Sequence, residues 1–304
     1  MATSESEDIL PVESEYKIVK PLNKENSETT IIATIARMNP PTPGHMLLVK
    51  NMILDAAQNN LTQINIILSH SVDSDENPLE CETKAYLFLS TAADRLKEFL
   101  ARESPDLAEK INNVNIAILC MNEAFEEEVP EISFKTTPIL KAINYILFKF
   151  YMYPRPGLTL KLFVGDDRDY SSFLRPSLEN KLVPVNFEQL QLKRPLMTNY
   201  KTMNCDQLTA LDVNFIPEEA MSASLLRNLV KCRLPDQFAK VMQRAFLNKS
   251  EISELYGLLI DVIPENQGIN KGGRKKSTRT KRKKRSRKTK RKNTRKKRSN
   301  KSRR

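Results

Sequence analysis

The chain of 304 residues carries a formal net charge of +12, but this charge is unevenly distributed. Residues 271–304 hold 22 Lys and Arg and no acid, so residues 1–270 carry −10, which is the total less those 22 charges. The apolar content of 40% is sufficient for a folded core. No apolar run reaches the roughly 18 residues of a membrane span, and the acidic, Ser-rich N-terminus differs from signal and transit peptides. We therefore expect a soluble intracellular protein, cytoplasmic or nuclear, without a membrane segment.

Four cysteines lie far apart in the sequence, with no Cys-x-x-Cys pair and no histidine nearby. Zinc sites made of cysteine and histidine have closer ligand spacing, so this pattern argues against zinc. We expect reduced thiols at all four positions, Cys81, Cys120, Cys205 and Cys232.

Short apolar strands alternate with helical segments through most of the chain, which predicts an α/β fold. The expected architecture is a Rossmann-like parallel sheet with helices on both faces and a small C-terminal helical segment. The domain division is an acidic, structureless arm at 1–28, one folded domain at 29–268, and a basic tail at 269–304. Strands are predicted at 30–37, 63–69, 114–121, 158–164 and 182–187, and helices at 43–60, 80–103, 105–111, 138–153, 222–232, 235–247 and 250–262.

The first predicted strand ends in the turn Arg37-Met38-Asn39-Pro40-Pro41-Thr42-Pro43-Gly44-His45. Thr42 is a suitable N-cap and Pro43 suits the first helical position, so a helix is expected to begin here. A strand, a tight turn and a helix N-terminus bring backbone N–H groups together, which suits a phosphate group. Gly44 lacks a Cβ and would let a ligand approach the backbone, and His45 could donate to a phosphate oxygen. The alternative is an ordinary capped helix with a partly exposed histidine.

A second candidate segment is Met221-Ser222-Ala223-Ser224-Leu225-Leu226-Arg227. Two hydroxyls in the first turn of a helix and an arginine one turn later could hold a polyphosphate. The alternative is that Ser222 only caps the helix, that the leucines pack in the core, and that Arg227 is solvated.

Two further turns follow predicted strands. The strand at 158–164 ends in Gly165-Asp166-Asp167, and the strand at 63–69 is followed by His70. Ligands of parallel sheets bind at the carboxyl ends of strands, near the point where the strand order reverses. The turns at 38–45 and 165–168 are therefore expected to converge, and His70 could reach the same site, although an ordinary loop histidine is the commoner case.

Taken together, the two motifs resemble the paired signatures of the nucleotidyltransferase (cytidylyltransferase-like) superfamily. Thr42-Pro43-Gly44-His45 resembles its His/Thr-x-Gly-His motif, and the segment from Met221 to Arg227 resembles its Ile-Ser-x-Thr-x-x-Arg motif. The lead-in from Arg37 to Pro40 is similar to that of nicotinamide-mononucleotide adenylyltransferases, and Gly165-Asp166-Asp167 resembles a Gly-x-Asp turn of several members. The resemblance covers roughly residues 30–232. Thr42 replaces the first family histidine, Ala36 a glycine, Ser224 a threonine and Met221 an isoleucine.

The resemblance implies transfer of a nucleotide from a nucleoside triphosphate, with ATP favoured, to a small phosphorylated acceptor such as nicotinamide mononucleotide. Pyrophosphate would leave, and Mg²⁺ would accompany the triphosphate, with no protein ligands assigned to it. The family pattern implies catalytic roles for His45, helped by Thr42, on the α-phosphate. It implies nucleotide or phosphate binding by Arg37, Asn39, Gly44, Gly165, Asp167, Ser222, Ser224 and Arg227.

Other functions stay open at this point. Within the same family, a cytidylyltransferase would use CTP and a phosphorylated alcohol. Class I aminoacyl-tRNA synthetases share a similar histidine motif, but the chain lacks a Lys-Met-Ser-Lys-Ser string. A non-enzymatic alternative is an inactive scaffold that binds nucleic acid through its tail.

The tail at 271–304 has no apolar residue that could form a core, and it is expected to be disordered and cationic. Such a segment could bind nucleic acid or another polyanion without sequence specificity, or could serve as a targeting signal. Similar tails occur on many proteins of large DNA viruses. The sequence does not predict an oligomeric state.

Overall fold

The computed structural model describes residues 28–69, 72, 76–120, 137–165, 168–193, 200 and 202–265. Four predictions lie outside these residues: the acidic arm apart from its last residue, the basic tail, His70, and Asp167.

Five strands of the described chain form one parallel sheet: β1 (Thr30–Ala36), β2 (Gln63–Leu68), β3 (Asn115–Cys120), β4 (Thr159–Gly165) and β5 (Asn186–Leu192). The strand order is β3-β2-β1-β4-β5. From β1 the chain adds strands on one side and then returns to place β4 on the other side. The order therefore reverses between β1 and β4, and this point is where ligands bind in sheets of this kind.

The central strands are buried because helices cover both faces of the sheet, which is the usual situation for parallel strands. Successive residues of β1 alternate between two cores. Ile32 packs with the helices on one face and Ile31 with those on the other. The predicted α/β class with a Rossmann-like parallel sheet is confirmed.

Helices on one face pack around Ile32 and those on the other around Ile31. Of the described helices, two lie on the second face, Pro138–Phe150 and Ser171–Glu179. The helices are α1 (Pro43–Gln58), α2 (Cys81–Thr83), a π-helical segment (Lys84–Leu89), α3 (Ser90–Glu103), α4 (Ala108–Asn113), α5 (Pro138–Phe150), α6 (Ser171–Glu179), α7 (Cys205–Thr209), α8 (Ala223–Lys231), α9 (Pro235–Gln243) and α10 (Lys249–Val262). Short 3₁₀ turns lie at Pro105–Leu107, Val213–Phe215 and Glu218–Ala220.

The prediction of the fifth strand at 182–187 was wrong, because the strand begins at Asn186. The Tyr153 hydroxyl donates to the Val183 carbonyl at 3.0 Å and accepts from the Val183 N–H at 3.1 Å, so these backbone groups do not pair with β4. Helix α6 was not predicted, since Pro176 lies inside it and proline disfavours helix interiors. The single helix predicted at 80–103 contains the π-helical segment. No described helix combines the length and the apolar character that crossing a membrane requires.

The prediction of four separate thiols was also wrong. Cys81 is disulfide-bonded to Cys120, and Cys205 to Cys232, with Cα–Cα distances of 5.8 and 5.3 Å. The cysteines of each pair are 39 and 27 residues apart in the sequence, so local spacing does not predict that they are in contact. Cys120 ends β3, and the parallel arrangement brings that end beside the segment that follows β2.

Candidate functional site

A cleft of about 840 Å³ opens at the carboxyl ends of β1 and β4, where the strand order reverses. Both turns that were expected to converge there contribute to it. The cleft also receives the start of α8, which lies 177 residues beyond His45 in the sequence. Predicted site residues that line the cleft are Arg37, Asn39, Thr42, His45, Gly165, Ser222, Ser224 and Arg227.

Thr42 and His45 form one hydrogen-bonded unit at the start of α1. The Thr42 hydroxyl caps the helix by accepting from the His45 backbone N–H at 3.2 Å. In return, the Thr42 backbone N–H donates to His45 Nδ1 at 3.1 Å, and the hydroxyl lies 3.1 Å from the same nitrogen. Because Nδ1 accepts a hydrogen bond, a neutral ring carries its proton on Nε2. Thr42 therefore fixes the orientation of the ring and makes Nε2 the donor.

The side chain of Asn39 has a structural role that the prediction of phosphate binding did not include. Its side chain is buried and its amide is used by one backbone residue, donating to Leu79 O at 2.7 Å and accepting from Leu79 N at 3.0 Å. This pair of bonds ties the turn after β1 to the segment that precedes α2. The side chain of Asn39 therefore supports the cleft wall, and these two bonds use its carbonyl oxygen and one of its two amide hydrogens.

Arg227 connects the two predicted motifs directly. The residue is 9% exposed, and Nη1 donates to the backbone carbonyl of Asn39 at 2.7 Å. Nη2 donates to Ser224 Oγ at 3.4 Å. The alternative of a solvated Arg227 is therefore excluded, and the arginine both lines the cleft and holds the turn after β1.

The N-terminus of α8 faces the cleft. Ser222 is the N-cap, and its Oγ accepts from Leu225 N at 3.3 Å. A capping hydroxyl that accepts in this way still has its own hydrogen to donate. Ala223 and Ser224, in the first turn, also line the cleft, and first-turn amides have no acceptor within their helix. This end of α8 thus offers hydroxyl and amide donors together with the positive end of the helix dipole.

Gly44 is required by packing between the two motifs. A Cβ at this position would lie 3.2 Å from two backbone carbonyl oxygens, those of Glu218 and Met221. Gly44 does not line the cleft among the described residues. The predicted close approach of a ligand is thus replaced by close approach of the backbone that leads into α8.

Among the described residues, the charged groups that line the cleft are mostly basic. Arg37 Nη1 lies 3.1 Å from Glu76 Oε2, and both side chains are about half exposed. Arg168 and Arg227 add two further guanidinium groups to the lining. With the N-termini of α1 and α8, these groups make a site that favours an anion.

Sequence reasoning missed several residues at this site. Thr34 lines the cleft, and its buried hydroxyl has no hydrogen-bond partner among the described residues. Arg168 and Tyr170 follow β4 on the same edge. Lys84 is 1% exposed just behind the cleft. The sequence did contain a signal for this residue, because Lys84 lies on the apolar stripe of the helix predicted at 80–103. A lysine in such a position is almost never fully buried without a partner.

The described residues contain no group of three His, Cys, Asp or Glu that could hold a metal ion. Among the described lining residues, Glu76 is a carboxylate, and it is paired with Arg37. No protein-family model matches the sequence, and no curated protein matches it.

Proposed function

We propose that the protein is a nucleotidyltransferase that joins a nucleoside triphosphate, preferably ATP, to a small phosphorylated acceptor such as nicotinamide mononucleotide. One observation supports this most strongly. The helix N-termini that carry His45 and Ser222 meet at the switch point of the sheet, and Arg227 bonds one motif to the other. Two helix N-termini and three arginines around one cleft suit a triphosphate better than a neutral ligand.

In this proposal the triphosphate lies across the starts of α1 and α8. An anionic oxygen of the acceptor phosphate attacks the α-phosphorus, and the bond from that phosphorus to the bridging oxygen breaks. The electron pair leaves with pyrophosphate, and no proton transfer is needed. Catalysis is then mainly positioning and stabilisation of charge.

Each motif has a separate task in this reaction. His45 Nε2–H donates to the oxygen of the α-phosphate where charge accumulates, with the ring held by Thr42. The hydroxyls of Ser222 and Ser224 and the guanidinium of Arg227 hold the β- and γ-phosphates and then pyrophosphate. Mg²⁺ enters as part of the substrate, bound to the triphosphate oxygens.

The test uses the full chain with ATP or CTP, Mg²⁺ and a panel of phosphorylated acceptors, and measures pyrophosphate. Ser222→Ala is compared with Asn248→Ala, because Asn248 caps α10 by accepting from the third backbone N–H, as Ser222 does for α8. Both variants lose about 1 kcal/mol of stability, since each removes a helix cap. We expect pyrophosphate release to fall only in Ser222→Ala.

The pattern of products distinguishes the remaining candidates. Release with CTP and a phosphorylated alcohol would identify a cytidylyltransferase on the same site. Absence of release with every pair would contradict the enzymatic proposal and favour a scaffold that binds nucleic acid through residues 271–304.

A further inference from the structure

A buried lysine lies directly behind the cleft. Lys84 opens the π-helical segment, and its Nζ donates to the backbone carbonyls of Arg37 and Ser69, at 2.8 Å each. Arg37 follows β1 and Ser69 follows β2, and these strands are paired neighbours. Both residues line the cleft. One ammonium group therefore holds the carboxyl ends of two adjacent strands at the candidate site.

Within the described part of the chain, the surroundings of Lys84 leave its charge poorly compensated. The two hydrogen-bond partners that the described structure provides are neutral carbonyls. Burial is the main cause that lowers the pKa of Lys84 to about 8, Glu82 opposes this shift, and Arg37 adds to it. Burying a cation without a paired anion is costly, so a simple packing role would be served better by an apolar side chain. An anion in the adjacent cleft would supply the missing negative charge.

We propose that Lys84 is a positioning residue that holds the turns after β1 and β2 in place and makes anion binding in the cleft depend on its own charge. The identity of the anion, a nucleoside triphosphate, rests on the proposed function, whereas the hold on the two turns does not. Lys84 acts through the backbone of Arg37 and Ser69, because the side chain itself does not line the cleft among the described residues.

The charge dependence has a definite sign. Protonated Lys84 attracts the anion, so a bound anion raises the pKa of the lysine, and affinity falls as the pH passes through the pKa of the free protein. If binding restores the ordinary pKa of 10.5 from about 8, affinity falls about tenfold between about pH 7 and about pH 9. Among the described residues, the charged groups that act on Lys84 or its partners are Arg37, Glu76 and Glu82.

The test compares Lys84→Arg and Lys84→Met in the full chain with Lys161→Met as the matched control. Lys161 is a largely buried lysine with 18% of its side chain exposed, and its Nζ bonds to the Asp55 carboxylate between β4 and α1. Amide hydrogen exchange is measured without ligand at the ends of β1 and β2, and at β3 as an internal reference. Binding of Mg²⁺–ATP is then measured by calorimetry at about pH 7 and about pH 9.

We expect Lys84→Met to raise exchange at residues 36–39 and 68–69 relative to β3, and the control to leave that ratio unchanged. Lys84→Arg should bind as the wild type does at about pH 7 and keep its affinity at about pH 9, because arginine stays charged. A wild-type exchange pattern in Lys84→Met overturns the hold on the two turns. A wild-type pH profile in Lys84→Arg overturns the charge dependence, even if Lys84→Met fails to fold. If neither the wild type nor any variant binds ATP, the proposed function fails. The positioning role of Lys84 is then decided by the hydrogen-exchange result alone.

Discussion

Replacing Arg227 with methionine tests whether one side chain serves both the fold and the site. The substitution removes the charged donor that bonds to the Asn39 carbonyl at 2.7 Å. A hydrogen bond from a charged group contributes about 1.5–3 kcal/mol, so Arg227→Met should lose that much free energy of unfolding. The turn is still held by the two bonds between Asn39 and Leu79, so the variant should fold.

Arg244→Met is the matched control, because Arg244 Nη1 also donates to a backbone carbonyl at 2.7 Å, that of Ile216, but does not line the cleft. Urea unfolding should show a lower free energy of unfolding in both variants, because each loses a hydrogen bond from a guanidinium to a backbone carbonyl. Pyrophosphate release should fall about 10²–10³-fold in Arg227→Met alone, as for other lost transition-state donors. Equal turnover in the two variants would refute the assignment of Arg227 to the phosphates.

Three further predictions concern single groups. Thr42→Ala should lower the free energy of unfolding by about 1 kcal/mol and should also lower pyrophosphate release, and Thr42→Ser should restore both. Unchanged release in Thr42→Ala would contradict the role of Thr42 in orienting the His45 ring. Thr34→Val should raise the free energy of unfolding by about 1 kcal/mol, since it removes a buried hydroxyl without a partner in the described structure. A lower free energy of unfolding than that of the wild type, measured in urea, would show that the hydroxyl has a partner. A hydrogen bond from Arg95 lowers the pKa of Glu251, so the stability it adds is present above the ordinary carboxylate pKa and lost as the pH falls through the lowered value. The difference in unfolding free energy between wild type and Glu251→Gln should therefore shrink from neutral to acid pH, and a constant difference would contradict this.

The parts of the site that sequence predicts are those governed by local rules. A run of β-branched residues that stops at two prolines predicts a strand and a turn, and Thr42 followed by Pro43 predicts the helix start. The rule that ligands bind at the carboxyl ends of parallel strands then places this turn and the one after Gly165 at one edge. The structure has both turns in one cleft.

The parts that sequence does not predict depend on contacts between distant residues. The sequence does not show that the amide of Asn39 bonds to the backbone of Leu79, because that residue is 40 positions away. In the same way Lys84 appears as one charge on a helix until its carbonyl partners 15 and 47 residues away are known. At Gly44 the prediction concerned close approach of a ligand, and the sequence contains no sign that the backbone near Met221 also lies close to this residue.

The cysteines illustrate the same limit. Spacing rules apply to ligands or bridges within one local motif, whereas Cys81 and Cys120 are brought together by the pairing of β2 with β3. The start of β5 was misplaced for a related reason, because the Tyr153 hydroxyl bonds to Val183 and withdraws it from the sheet.

The central claim is that His45 at the start of α1 promotes release of pyrophosphate from a nucleoside triphosphate. The most direct measurement is pyrophosphate release by the full chain and by folded His45→Ala, with Mg²⁺–ATP and nicotinamide mononucleotide or another acceptor identified in the panel. We expect release by the wild type and a rate about 10²–10³-fold lower in His45→Ala. No release by the wild type with any nucleotide and acceptor, or equal rates in the two proteins, would contradict the claim.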